Sequence, residues 1–188
     1  MTRRIMRILL ATAIWAGAAT AVLAHSFNLG VIAPDDAALR ADLRAAFLIA
    51  SEERDGHANE ESEGHLGGLD VYLSFLTPGA TSAAPVPDVL AATLEGTDTD
   101  TAEALSAALG AAYLGPPNAS ATAEGQTFLQ QPSSPGLAPF AARYAEATGR
   151  QPDTGAQAMY ITARRVALAV RLLGGVDDRA ALAAIMAQ

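Results

Sequence analysis

The sequence predicts an α/β fold in which a mostly parallel sheet is flanked by helices in three layers. Two short apolar runs, FNLGVIA at 27–33 and LDVYLSFL at 69–76, have the length and composition of buried strands. The segment 37–53 between them repeats apolar residues at helical spacing. A strand, a helix and a second strand in this order are typical of a βαβ unit in a parallel sheet.

The first half of the chain has clear boundaries between these elements. The first strand ends at Pro34, and Asp35 or Asp36 can cap the helix that follows. We expect a loop from Asp55 onward, with several glycines before the second strand, and Pro78 and Gly79 end that strand.

The second half is predicted to be mainly helical. The segment 77–87 is a loop rich in Ala, Pro and Ser, and the pattern at 87–96 leaves a helix or a strand open. The remaining predicted elements are a helix at 97–115 ended by Gly115, a short strand at 125–132, and helices at 137–148, 154–175 and 177–188, the last capped by Asp177 or Asp178.

The first 24 residues have the pattern of a secretory signal. Three arginines precede an apolar run that ends in Val22-Leu23-Ala24, the small-residue pattern that a signal peptidase reads. We therefore expect residues 1–24 to be removed and residues 25–188 to form a single α/β domain, with no stable membrane anchor. An uncleaved anchor is the alternative, although the run is short and alanine-rich for a spanning helix.

Composition excludes several classes of function. Cleavage after Ala24 removes three of the 12 cationic residues and none of the 20 acids, so the exported chain carries a net charge of −11. Such a surface repels phosphate backbones, which argues against nucleic-acid binding. The chain also lacks cysteine, so it can form neither disulfides nor a thiol-linked lipid anchor. These features favour a soluble periplasmic protein.

The C-terminal third carries a family resemblance. It contains Phe140 and Tyr144 in one helix, a Gly-Arg-x-Pro-Asp turn at 149–153, a long Ala-rich helix with Tyr160, a Gly pair, and an Asp-x-x-Ala-Leu helix at 178–182. This order resembles the type I periplasmic substrate-binding proteins of branched-chain amino-acid ABC transporters, and the segment 27–53, FNLGVIAPDDAALRADLRAAFLIASEE, looks like their first strand and helix. The resemblance covers about half of the exported chain.

The resemblance implies one lobe of a periplasmic binding protein-like fold. The family holds its amino acid between two lobes, and this chain is too short for both. The ligand-binding residues it implies are Pro34 and Asp35 after the first strand, Thr77 after the second, and Tyr160 in the long helix, for which a core aromatic is the alternative. A small-molecule ligand would be weakly held, and a periplasmic protein partner or a homodimer could supply the missing surface.

The histidines suggest a second hypothesis, a metal site for Cu or Zn. Signal cleavage would leave His25 as the N-terminal residue, whose amine and imidazole can chelate one ion together. The loop DGHANEESEGHLGGLD supplies His57 and His65, and we expect all three histidines at the edge of the sheet where strands begin. Oxygen ligands would come from Glu60, Glu61 or Glu63. The alternative is a polar loop whose glycines turn the chain into the second strand.

We find no pattern typical of a catalytic site. No Gly-x-Ser-x-Gly elbow occurs, and the turn after the first strand is acidic where a phosphate loop would need amides. The sequence therefore predicts a non-catalytic periplasmic binding or accessory protein without a cofactor, with metal binding as the alternative.

Overall fold

The computed structural model describes residues 26–52, 62–116 and 137–187. The chain is an α/β protein with a five-stranded, mostly parallel sheet packed against helices. The strands are β1 (Ser26–Ile32), β2 (His65–Leu66), β3 (Leu69–Leu76), β4 (Val89–Ala91) and β5 (Ala112–Leu114). The helices are α1 (Ala37–Glu52), α2 (Thr99–Leu109), α3 (Leu137–Thr148), α4 (Thr154–Leu173) and α5 (Arg179–Met186).

The strands lie in the order β2-β3-β1-β4-β5. β1 is central and pairs in parallel with β3 on one side, from Ser26 opposite Asp70 to Ile32 opposite Leu76. On its other side β1 pairs in parallel with β4, and β4 pairs in parallel with β5. The predicted unit of strand, helix and neighbouring parallel strand is therefore confirmed. The chain then crosses to the other side of β1, which creates a topological switch point between β1 and β4.

The sheet has a hydrophobic core on each face. Alternate residues of one strand point to opposite faces, so Val31 enters the larger core and Ile32 the smaller one. The larger core lies between the sheet and α1, α3, α4 and α5, and the smaller core lies under α2. Burial of each large apolar side chain contributes about 1.5–3 kcal/mol, so the larger core carries most of the stability.

Two predictions in the middle of the chain need correction or completion. The predicted helix at 97–115 is wrong beyond Leu109, because Gly110 adopts a left-handed φ of 67° and its N–H bonds back to Ser106 and Ala107. The next residues form β5, which the sequence did not predict. The segment 87–96, left open between helix and strand, contains β4.

The first turns of α1 and α5 are each capped by one of the two aspartates predicted for that position. Asp36, rather than Asp35, caps α1 by accepting from the backbone N–H groups of Ala38 and Leu39 at 2.9 and 3.0 Å. Asp178, rather than Asp177, caps α5 by accepting from the N–H of Ala181.

Several expectations fall on parts of the chain that are not described. The signal segment 1–24 and the predicted strand at 125–132 lie outside the described residues. Within 26–52, 62–116 and 137–187, no helix combines the length and hydropathy needed to cross a membrane.

Candidate functional site

A cavity of about 330 Å³ lies at the edge of the sheet where β1 and β3 end. Its walls are the turn between β1 and α1, the last residues of β3, and the loop that follows β3 as far as Pro85. Ligands of open α/β sheets bind outside the carboxyl ends of the strands, which is where this cavity opens. Its volume falls at the lower end of the range typical of small-molecule sites.

An ion pair forms the charged wall of this cavity. The Arg40 guanidinium lies 2.9 Å from the Asp35 carboxylate, whose side chain is 82% exposed. Arg40 also donates from Nε to the Pro34 carbonyl at 2.9 Å and from Nη2 to the Ala33 carbonyl at 3.3 Å. The arginine therefore fixes the turn that ends β1, and three of its five N–H groups are used in doing so. The pair presents one carboxylate and one guanidinium with no net charge.

Hydroxyl groups form the neutral polar wall. Ser74, Thr77 and Ser82 all line the cavity. The Ser74 hydroxyl is buried and has no hydrogen-bond partner within the described residues. A buried hydroxyl without a partner costs about 1–3 kcal/mol, so a polar group in the cavity would be stabilised by pairing with it.

The predicted ligand residues divide between this cavity and the core. Asp35 and Thr77 line the cavity, and Pro34 contributes the carbonyl that anchors Arg40. Tyr160 lies elsewhere: its side chain is fully buried, and its ring stacks on Phe140 with centroids 4.2 Å apart. The structure thus agrees with the core interpretation of Tyr160.

Sequence reasoning missed Arg40 and Ser74 as cavity residues. Arg40 lies near the start of α1, and its long side chain reaches back to the carbonyls of the preceding turn. Ser74 lies two residues before the end of β3, on the same face as Leu76. A small polar residue near the end of an apolar strand is the signal that could have identified it.

The histidine edge is described only in part. His25, His57, Glu60 and Glu61 lie outside the described residues. Ser26 pairs with Asp70, and Asp70 pairs with His65 across β1, β3 and β2. This register puts the start of β1 and His65 at the end of the sheet where the parallel strands begin. They are two strands apart, which is about 10 Å at the usual strand spacing.

The two predicted metal ligands within the described residues already have partners. His65 Nε2 lies 2.7 Å from the Asp70 carboxylate. Glu63 forms an ion pair with Arg44 and accepts from the Leu73 backbone N–H at 2.6 Å. Among the residues described, no group of three or more His, Cys, Asp or Glu is arranged to hold a metal ion. Metal binding at this edge would have to displace these contacts or share their atoms.

The Gly-Arg-x-Pro-Asp turn at 149–153 has structural roles. Arg150 forms an ion pair with Asp42 of α1, and the Asp42 carboxylate also accepts the Tyr144 hydroxyl. Asp153 caps α4 by accepting from the Ala156 N–H at 2.7 Å. The turn therefore connects α3, α4 and α1 and makes no contact with the cavity.

No protein-family model, curated protein or solved structure matches this chain.

Proposed function

We propose that this chain is a non-catalytic periplasmic binding or accessory protein, related to the substrate-binding components of ABC transporters and reduced to one lobe. The observation that carries the proposal is the cavity at the carboxyl edge of the sheet, which Asp35 and Thr77 both line. A single lobe with an edge cavity is what a shortened member of that family would retain.

The chemistry of the cavity walls supports a small polar ligand. The carboxylate of Asp35 suits an ammonium group, and the two N–H groups of Arg40 that bind no oxygen of the described residues suit a carboxylate. The hydroxyls of Ser74 and Thr77 can donate or accept beside them. A zwitterion such as a branched-chain amino acid carries both charged groups.

The openness of the cavity predicts weak binding by one copy alone. The Asp35 side chain remains largely in water, so a ligand there would keep part of its hydration and gain little from its ion pairs. A second protein surface that covers the cavity would remove this water. In its accessory role, the protein therefore binds a partner at this edge of the sheet, either with or without a ligand in the cavity. The partner's surface covers the open side of the cavity.

A binding experiment tests this proposal. Leucine, isoleucine and valine are titrated at millimolar concentration into the protein and into Ser74→Ala and Thr77→Val, followed by calorimetry. We expect millimolar affinity for the parent protein and a loss of about five- to tenfold in each variant, the value of one hydrogen bond.

The control is Thr99→Val, which removes an exposed hydroxyl that does not line the cavity. It should bind as the parent protein does. Equal binding by all four proteins, or no binding by any, would contradict the assignment of the cavity.

A second candidate function is binding of Cu or Zn at the histidine edge. The register that aligns Ser26, Asp70 and His65 supports it, because His25 directly precedes Ser26. The test compares metal titration of the exported protein with that of a version extended by one N-terminal residue. The extension removes the chelate of amine and imidazole, so metal affinity should fall at least tenfold. Equal affinities would exclude His25 from the site.

A further inference from the structure

The outer edge of β3 is the side of the sheet that faces away from β1. Backbone groups of successive strand residues point alternately to the two sides, and the N–H of Val71 bonds outward to the Gly64 carbonyl at 2.9 Å. The backbone groups of Leu73 and Phe75 must therefore also point outward. β2 pairs with β3 at Leu69 and Asp70, and the preceding residues Glu63 and Gly64 bond to Val71. Among the described residues, no strand pairs with β3 on this outer side at Leu73 or Phe75.

The Glu63 side chain takes the place of a neighbouring strand at Leu73. Its carboxylate accepts the Leu73 N–H at 2.6 Å, as the carbonyl of a paired strand would. The other carboxylate oxygen binds Arg44, whose guanidinium lies 5.7 Å from the centre of the Phe75 ring. Within the described residues, the outward N–H of Phe75 has no hydrogen-bond partner.

Two copies of this edge are complementary to each other. If two β3 strands meet antiparallel about an axis at Ser74, Leu73 of one copy faces Phe75 of the other. Each such pair exchanges two backbone hydrogen bonds, so the contact contains four. The Glu63 carboxylate blocks two of these bonds because it occupies the Leu73 N–H of each copy. It also brings an oxygen with negative charge to the position that the second copy's Phe75 carbonyl would take.

We propose that the outer edge of β3 is a surface through which two copies of this chain can pair. The Glu63 carboxylate, which is held in place by Arg44, weakens this pairing because it occupies the Leu73 N–H. Open sheet edges join readily to other strands, and charged side chains placed on the edge oppose this pairing. Glu63 therefore opposes strand pairing at this edge. This inference does not require a ligand in the cavity, although Ser74 and Phe75 belong to both surfaces.

Sedimentation velocity over a concentration series tests the inference on the purified exported protein. Glu63→Ala frees both Leu73 N–H groups, and the two recovered hydrogen bonds should tighten self-association by about 30-fold relative to the parent protein. Glu146→Ala, which removes an exposed glutamate from α3, is the matched control and should associate as the parent does. Unchanged association in Glu63→Ala would overturn the inference.

A double variant tests where the copies meet. Phe75→Pro removes the outward N–H, which no acceptor in the described part of the chain uses, and edge strands accept proline. Adding it to Glu63→Ala should abolish the gain in association while circular dichroism shows that the fold is retained. Undiminished association in the folded double variant would show that the copies meet elsewhere and would overturn the inference.

Hydrogen exchange of the parent protein provides a measurement that does not depend on any variant. The Leu73 amide should be protected by Glu63, and the Phe75 amide should exchange at least tenfold faster. Equal protection of both amides in dilute solution would mean that the edge is already covered beyond Leu73, and would also overturn the inference.

Discussion

The clearest energetic prediction concerns the Tyr144 hydroxyl. Tyr144 is 1% exposed and donates its hydroxyl proton to the Asp42 carboxylate. Burial, followed by the negative charge of Asp42 and this hydrogen bond, raises the pKa of Tyr144 to about 12 from its ordinary value of 10.0. The folded protein therefore retains this proton in a pH range where the unfolded chain loses it.

The sign and size of the effect follow from linkage. Between pH 10 and 12 the unfolded state binds fewer protons than the folded state, so the free energy of unfolding falls as the pH rises. The stabilisation is fully present below pH 10. A shift of about two pKa units corresponds to about 2.7 kcal/mol, of which about 1.4 kcal/mol is lost by pH 11.

Urea unfolding of the parent protein and of Tyr144→Phe at pH 7, 9 and 11 measures the effect. At pH 7 the variant should be less stable by about 1.5–3 kcal/mol, the value of a hydrogen bond to a charged group. The difference should persist at pH 9 and shrink by about 1.4 kcal/mol at pH 11. Tyr72→Phe, which removes an exposed phenol, is the control. A Tyr144→Phe difference that is constant from pH 7 to pH 11 would refute the reasoning.

Three further predictions concern the stability of the fold, each measured as the free energy of unfolding in urea. Asp88→Ala should cost about 2–4 kcal/mol, because this carboxylate accepts the Asn28 N–H at 2.7 Å and binds Arg179; a cost below 1 kcal/mol would contradict that role. Gly67→Ala should cost more than Gly79→Ala, since both have a positive φ but only at Gly67 would a Cβ lie 2.7 Å from the chain of α4; equal costs would contradict the close approach. Phe140→Ala should cost about 3–5 kcal/mol, and a loss below 2 kcal/mol would argue against the buried ring stack.

The start of the fold could be predicted from the sequence because local pattern and tertiary packing agree there. The run 69–76 is bounded by turn-forming residues on both sides, and β3 has the predicted bounds. The bounds of α1 were predicted to within one residue because the signals that set them are local. The capping aspartate directly precedes the helix, its apolar residues recur at helical spacing, and a polar stretch of sequence follows it.

The region around β5 could not be predicted because its local pattern is misleading. The residues after α2 continue an alanine-rich run that favours helix, and the break depends on the left-handed conformation of Gly110. Three residues are too short to show a strand period. What places Ala112–Leu114 in the sheet is pairing with β4, a tertiary contact that the local sequence does not encode.

The sequence could indicate where the cavity lies but not all the residues that line it. The end of a parallel strand is a general location for ligands, and Asp35 and Thr77, which follow the first two predicted strands, both line the cavity. Arg40 joins them because its side chain folds back over the turn, and Ser74 joins them because of the face it occupies. The role of Glu63 at the edge of β3 also depends on register, since the residue it contacts is ten positions away in the chain.

The central claim is that the cavity at the carboxyl edge binds a small ligand, and amide chemical-shift mapping by NMR tests it most directly. Titration with a branched-chain amino acid should shift amides at 33–36 and 74–85, which surround the cavity, and leave those at 65–70 unchanged. The same titration of Ser74→Ala should give smaller shifts at equal ligand concentration. Shifts confined to other parts of the sheet, or none at tens of millimolar ligand, would contradict the account.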